Sequence, residues 1–231
     1  MSKKKLLSLS LVVIMIAVLS LNTLAWFSDS DEVTNDILIA GSDDADPDAV
    51  FSVDVWENTP DGEKDQDGYT YKNILPGDLL KKEVYVENTG AYDQYIRVIV
   101  VVSDARQWAA VLKLDEGAVP ALSQLVSGLN NDKWTPNSAN YDETNNTFWY
   151  VLYGTNILKV DADTSVFTGV KIPTSMTQEQ GATFEGGFKI KVLAQAVQTR
   201  NVGDTCQKAF QTVGLDATAA YDSIIAAWEN P

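Results

Sequence analysis

Gln94–Asp104 reads QYIRVIVVVSD. Ile96 and the unbroken run Val98–Val102 are β-branched, so the segment favours an extended backbone, yet its apolar residues do not alternate with polar ones. A short continuous run of this kind belongs to a strand covered on both faces, whereas a half-solvated strand shows a period of two. The stretch predicts a central strand, and the fold has to supply two covers for it.

Working outward, the neighbouring blocks do alternate. AVFSVDVWEN (Ala49–Asn58) sets Phe51, Val53 and Val55 on one face, and KKEVYVENTG (Lys81–Gly90) sets Val84 and Val86 against Glu83, Tyr85 and Glu87. Strands are also expected in NTFWYVLYGT (Asn146–Thr155), ILKV (Ile157–Val160) and SVFTGVKIP (Ser165–Pro173). TFEGGFKIKVLAQAVQT (Thr183–Thr199) predicts a long strand with Phe188, Ile190, Val192, Ala194 and Ala196 on one side. Pro76-Gly77-Asp78 pairs a fixed φ with a free one, which suits a tight turn, and Asn88-Thr89-Gly90 is a second turn signal.

Helical spacing is rarer. PALSQLVSGLNN (Pro120–Asn131) opens on a first-turn proline with Leu122, Leu125, Val126 and Leu129 on one face. DATAAYDSIIAAWEN (Asp216–Asn230) has an acidic cap and Ala217, Tyr221, Ile224, Ile225 and Trp228 at helical intervals. Many strands, few helices and no βαβ alternation predict an antiparallel β-sandwich with one or two appended helices.

The amino-terminal end has a different character. Lysines at 3, 4 and 5, an apolar run Leu6–Leu21 and the small-residue site Thr23-Leu24-Ala25 form the three parts of a secretory signal peptide, with cleavage expected between Ala25 and Trp26. A membrane anchor is the competing reading of that run, but serines and Asn22 dilute it and an acidic flank follows. The organisation expected is a signal peptide at 1–25, an arm at 26–41, and a sandwich domain at 42–231 with a helical carboxyl-terminal segment.

Charge and composition exclude several functions. The 231-residue chain has a formal charge of −15. Removal of 1–25 leaves 14 basic against 32 acidic side chains, a net of −18, which repels nucleic-acid phosphates. Histidine is absent and Cys206 is the single cysteine, so no intramolecular disulfide forms. Ser-His, Cys-His and HExxH chemistry lack a required residue. Cys206 is expected to be a buried small hydrophobe. In the acidic loop PDGEKDQDGYTY (Pro60–Tyr71), Asp65 and Asp67 are weak calcium candidates. An EF-hand register fails, because it would put Ile74 where a bidentate carboxylate is needed. No resident cofactor is expected beyond weakly bound calcium.

Several blocks taken together resemble the TasA/camelysin (CalY) family of exported bacterial matrix proteins, which are processed by the specialised signal peptidase SipW. TLAWFSDSDEVTNDILIAG (Thr23–Gly41) is similar to that family's cleavage region. NILPGDLLKKEVYVENTGAYDQYIRVIV (Asn73–Val100) is similar to its turn, strand and turn layout. VFTGVKIPTSMTQEQ with FKIKVLAQAVQT resembles its closing strand pair. The resemblance covers the first 100 residues and Val166–Thr199. It implies a jelly-roll form of the sandwich and a secreted subunit that assembles with other copies of itself into matrix or cell-surface fibres. The arm freed by cleavage would then be donated as a strand to a neighbour, anchored by Trp26, Phe27, Ile37, Leu38 and Ile39. The implied partners are other copies and, during export, a signal peptidase, with membrane contact only through the signal peptide.

Two other functions compete. A surface adhesin or carbohydrate-binding module would use Trp134, Tyr141, Trp149 and Tyr150 if these aromatics were exposed. A camelysin-like metallopeptidase would need a zinc site, and without histidine only carboxylates remain, which suit calcium better. No catalytic residue is assigned. Mass analysis of secreted protein should give an amino terminus at Trp26; material beginning at Met1 would contradict the signal-peptide reading.

Overall fold

The computed structural model describes residues 28–32, 51–59, 63–65, 68–71, 74–184 and 187–229. These form a mainly β structure in which two antiparallel sheets face each other across one core. The strands are β1 (Ser28–Glu32), β2 (Val53–Asn58), β3 (Glu63–Asp65), β4 (Gly68–Thr70), β5 (Leu79–Asn88), β6 (Gln94–Ser103), β7 (Val126–Ser127), β8 (Trp134–Asp142), β9 (Thr147–Gly154), β10 (Asp163–Lys171) and β11 (Ile190–Gln198). One sheet has the order β1-β11-β6-β9-β8, the other β2-β5-β10-β7, and β3 pairs with β4 in a separate hairpin.

The central strand is covered on both sides. Ile96, Val98, Val100 and Val102 of β6 face the second sheet and pack with Val53, Val55, Val84, Val86, Val166 and Phe167. The other face of β6 is roofed by two helices, α4 (Cys206–Val213) and α5 (Ala217–Glu229). Ile99 and Val101 pack under α5 with Val151, Leu193, Tyr221 and Ile224, while Tyr95 and Val197 pack under α4 with Ala209 and Phe210.

The carboxyl-terminal helix forms where its spacing predicts. Asp216 Oδ1 accepts the Thr218 N–H at 2.9 Å, which satisfies one orphan donor of the first turn. Tyr221 stacks on Trp149 at 4.8 Å between centroids, and its hydroxyl lies 2.7 Å from Thr147 Oγ1 and 2.8 Å from Asp142 Oδ2. Burial alone would push the Asp142 carboxyl up. Hydrogen bonds from Asn145 and Tyr221, and from the backbone N–H groups of Asn145 and Thr144, outweigh it and hold the pKa below the ordinary value.

Three expectations need correction, and several elements lie where none was expected. The helix expected over Pro120–Asn131 is only α2 (Leu122–Leu125); Val126 is already extended and pairs with Val170 at the edge of the second sheet. The same apolar residues are buried, but β-branched Val126 gains a strand partner that a continued helix would forgo. ILKV forms no strand: Leu158 alone bridges Gln94, and Ile157 and Val160 are exposed. The strand expected from Thr183 starts at Ile190. Helices α1 (Ala105–Leu112) and α3 (Gln178–Ala182) and strand β8 occupy segments for which no element was expected. Trp108 of α1 meets Phe184 and Phe188 edge-on and closes one end of the core.

Both turn signals are used. The Asp78 N–H donates to Leu75 O at 3.1 Å, and Gly77 has φ +92°, the positive value that the third residue of a type II turn requires. At the second turn Asn88, fully buried, donates to Tyr92 O at 2.8 Å and to Leu158 O at 3.1 Å, and accepts from Gly90 N at 3.0 Å and Gln94 Nε2 at 2.8 Å. The chain crosses from one sheet to the other here, and one amide satisfies the corner's backbone groups. Asn88→Ala should lower stability by about 3 kcal/mol, because several buried partners lose their hydrogen bonds together. In thermal unfolding that is a fall of about 6–12 °C; a change within one degree would show that the corner does not depend on this amide.

Candidate functional site: the amino-terminal edge strand

β1 lies at the open edge of the five-stranded sheet, antiparallel to β11, with Ser28 opposite Val197, Ser30 opposite Gln195 and Glu32 opposite Leu193. It also runs close to β2, so it borders the gap between the two sheets. The segment is the charged middle of the expected arm, which reads as a poor internal strand. As an edge strand it forms because main-chain pairing to β11 asks nothing of side-chain type. In this single chain the acceptor is the chain's own β11. Ala25, Trp26, Phe27, Ile37, Leu38 and Ile39, and with them the cleavage site and the apolar anchors, lie outside the described residues.

The acceptor strand is rigidly backed. Val192, Ala194 and Ala196 are buried in the inter-sheet core, and the alternate residues Leu193 and Val197 lie under the helices. Gln195 Oε1 accepts from Arg97 Nε at 3.1 Å and also from Nη2, while Arg97 Nη1 donates to Leu215 O at 3.2 Å. The guanidinium stands 4.4 Å from the Phe210 ring centroid. Burial lowers the Arg97 pKa, with nearby Tyr153, Cys206 and Asp216 opposing that shift. A buried cation thus ties β6, β11 and the α4–α5 connection together through neutral acceptors.

The other candidates fall elsewhere. Asp65 ends β3, opposite Gly68, and Asp67 lies outside the described residues. Among the described residues no three Asp, Glu, Cys or His side chains come together as a metal would need. Trp134 and Tyr150 are buried, donating to Ser165 O at 2.8 Å and Pro120 O at 3.0 Å. Tyr141 packs beside Phe148 and Trp149 beneath α5. These four aromatics are therefore not an exposed binding surface; Trp134 and Tyr141 sit on β8 and Trp149 and Tyr150 on β9, each packed against apolar neighbours.

Sequence reading missed Arg97, Gln94 and Asn88 as buried polar residues, together with the ion pair of Glu57 and Lys82, which is nearly enclosed at 2% and 9% side-chain exposure. The signal available was polar residues inside apolar strands, as in QYIRV. Their partners come from strands remote in sequence, which spacing along the chain does not reveal.

No protein-family model matches this chain, and no curated protein matches it.

Cys206 is buried in the first turn of α4, its thiol donating to Ile96 O at 3.0 Å. Burial pushes its pKa up to about 12 despite the attraction of nearby Arg97. A thiol that stays protonated and enclosed does not react as a thiolate. Native protein at pH 8 should give no Ellman colour over minutes, and one thiol per chain in guanidinium; rapid reaction of the native protein would contradict the burial.

Proposed function

We propose that this chain is a secreted, non-enzymatic structural subunit that assembles into extracellular matrix or cell-surface fibres by exchange of its amino-terminal strand. The observation that carries the reading is the position of β1. The segment just after the expected cleavage point pairs antiparallel with an otherwise open sheet edge. A neighbour's copy of the same segment can satisfy that edge equally well, since the bonds are the same. Residues 33–52 separate β1 from β2. Drawn out, such a segment reaches on the order of 65 Å, more than the roughly 35–45 Å diameter of a domain this size.

The resemblance to the TasA/camelysin family supports the same reading and adds the jelly-roll path. In its favour, the chain crosses between sheets at β5–β6, β9–β10 and β10–β11, as a Greek-key path requires. The large negative charge suits a dispersed exported protein whose association is promoted by cations or low pH. An adhesin built on Trp134, Tyr141, Trp149 and Tyr150 loses support because Trp134 and Tyr150 are buried and Tyr141 and Trp149 are partly buried against the core, and the metallopeptidase reading lacks histidine.

A cysteine pair tests exchange directly. Asp29 stands opposite Ala196, so Asp29→Cys with Ala196→Cys places two sulfurs within bonding range across β1 and its acceptor. Under assembly conditions, oxidation should give a ladder of covalent oligomers on a non-reducing gel, and deletion of Trp26–Gly41 should abolish fibres while leaving a folded monomer. Intramolecular bonding alone in material that has formed filaments, or normal filaments from the deletion variant, would refute strand exchange.

A further inference from the structure

The outer face of the four-stranded sheet is a surface separate from the edge that β1 occupies. Val53, Val55, Val84 and Val86 turn inward to the shared core, so the pleat sets Asp54, Trp56, Tyr85 and Glu87 on the opposite side. Helices α4 and α5 roof the other sheet, and among the described residues no helix is packed on this face as they are on that one.

Two rows cross the face. In one, Trp56 and Tyr85 are direct cross-strand partners, both half-exposed, with ring centroids 4.2 Å apart and planes 8° from parallel; Ser165 continues the row. In the next, Asp54, Glu87 and Asp163 stand opposite one another on three adjacent strands, and no ion pair reaches any of them from the described residues. Beyond the aromatic row, Asn58 Nδ2 donates to Glu83 Oε2 at 2.9 Å, and the Tyr85 hydroxyl lies 3.5 Å from the same oxygen. The aromatic pair is thus held between polar flanks, one of them a row of like charge with no ion-pair partner among the described residues.

A row of like charges opposite one another opposes sheet pairing, and the indole and phenol, stacked face to face, are both only partly buried, with no described helix packed over them. A single ligand chemistry answers both features. The C–H face of a pyranose ring is weakly positive and matches the negative face of an aromatic ring. An ammonium group beside that ring is drawn to the π face and to carboxylates alike. Polyanionic glycans are repelled by the net −18 left after removal of 1–25, which attracts polycations instead. The two rows lie two residues apart along the strands, about 7 Å, so sugar rings on one row bring their substituents to the other.

We propose that this face binds an amine-bearing polysaccharide, a hexosamine polymer with free protonated amino groups, laid along the Trp56–Tyr85 row with its ammonium groups toward Asp54, Glu87 and Asp163. The site takes its side chains from β2, β5 and β10 and none from β1 or β11, although β2 runs close to both.

The test is calorimetric titration of the secreted full chain with a fully deacetylated β-1,4-glucosamine oligomer. The comparison ligands are the N-acetylated oligomer of the same length and a lysine oligomer. The glucosamine oligomer should bind, and Trp56→Ala should weaken it about ten-fold. Asp54→Asn with Asp163→Asn should weaken it by a similar factor while thermal unfolding stays unchanged, which keeps the test decisive even if Trp56→Ala does not fold. The N-acetylated oligomer should bind more weakly than the free amine. Absence of glucosamine binding, or binding indifferent to the double variant, would overturn the proposal. A lysine oligomer that binds as tightly with the same dependence on Trp56 would overturn it in favour of a basic protein segment.

Discussion

Everything in this fold follows from one strand that cannot touch water on either side. β6 is buried along nearly its whole length, and each face needs apolar cover. One face obtains it from a second sheet, which makes the molecule a sandwich. The other obtains it from α4 and α5 at the far end of the sequence. The chain therefore cannot complete its core until its last residues are in place. The appended helices are a structural necessity, and without them Ile99, Val101, Val151 and Leu193 would be an open apolar patch large enough to drive aggregation.

The same constraint explains the polar residues locked inside. Arg97 interrupts the apolar run of β6 on the helix-covered face, where among the described residues no carboxylate is in direct contact with it. Its donors are met by the Gln195 side chain and the carbonyl of Leu215, and Phe210 lies against its guanidinium. Those three partners come from β11, α4 and the link to α5, so satisfying one buried charge fixes how the helical cover sits. Asn88 has the corresponding role at the corner between sheets. Polar burial in this molecule specifies arrangement, while the apolar burial around it supplies most of the driving force.

How much of this was legible in the sequence depends on whether the signal was local. QYIRVIVVVSD announced double coverage because consecutive β-branched residues have no solvent face to offer, and the helix at Asp216–Asn230 announced itself by cap and spacing. Val126 was misread because its choice between helix and strand is made by Val170, which no local pattern contains. The polar middle of the arm, SDSDE, carries no strand signal at all; its pairing is supplied by the backbone of β11. The pairing of Trp56 with Tyr85 was equally hidden, since register across strands is a property of the assembled sheet.

The two unfinished parts of the molecule differ in kind, and that difference bears on what each can do. An edge offers a row of main-chain donors and acceptors, which any extended segment can meet and which repeats identically from copy to copy; it suits polymerisation. A face offers side chains at fixed spacing, and its selectivity comes from which rings and charges stand there. In this chain the edge is served by a polar strand from the amino terminus, and the outer face, on which no described helix packs, presents aromatic rings beside carboxylates. The edge belongs to one sheet and the face to the other, although β2, which carries Asp54 and Trp56, runs close to both β1 and β11. Under the proposed assembly through the edge, each added copy would repeat the face, and a weak site on each copy would become an array whose avidity rises with length.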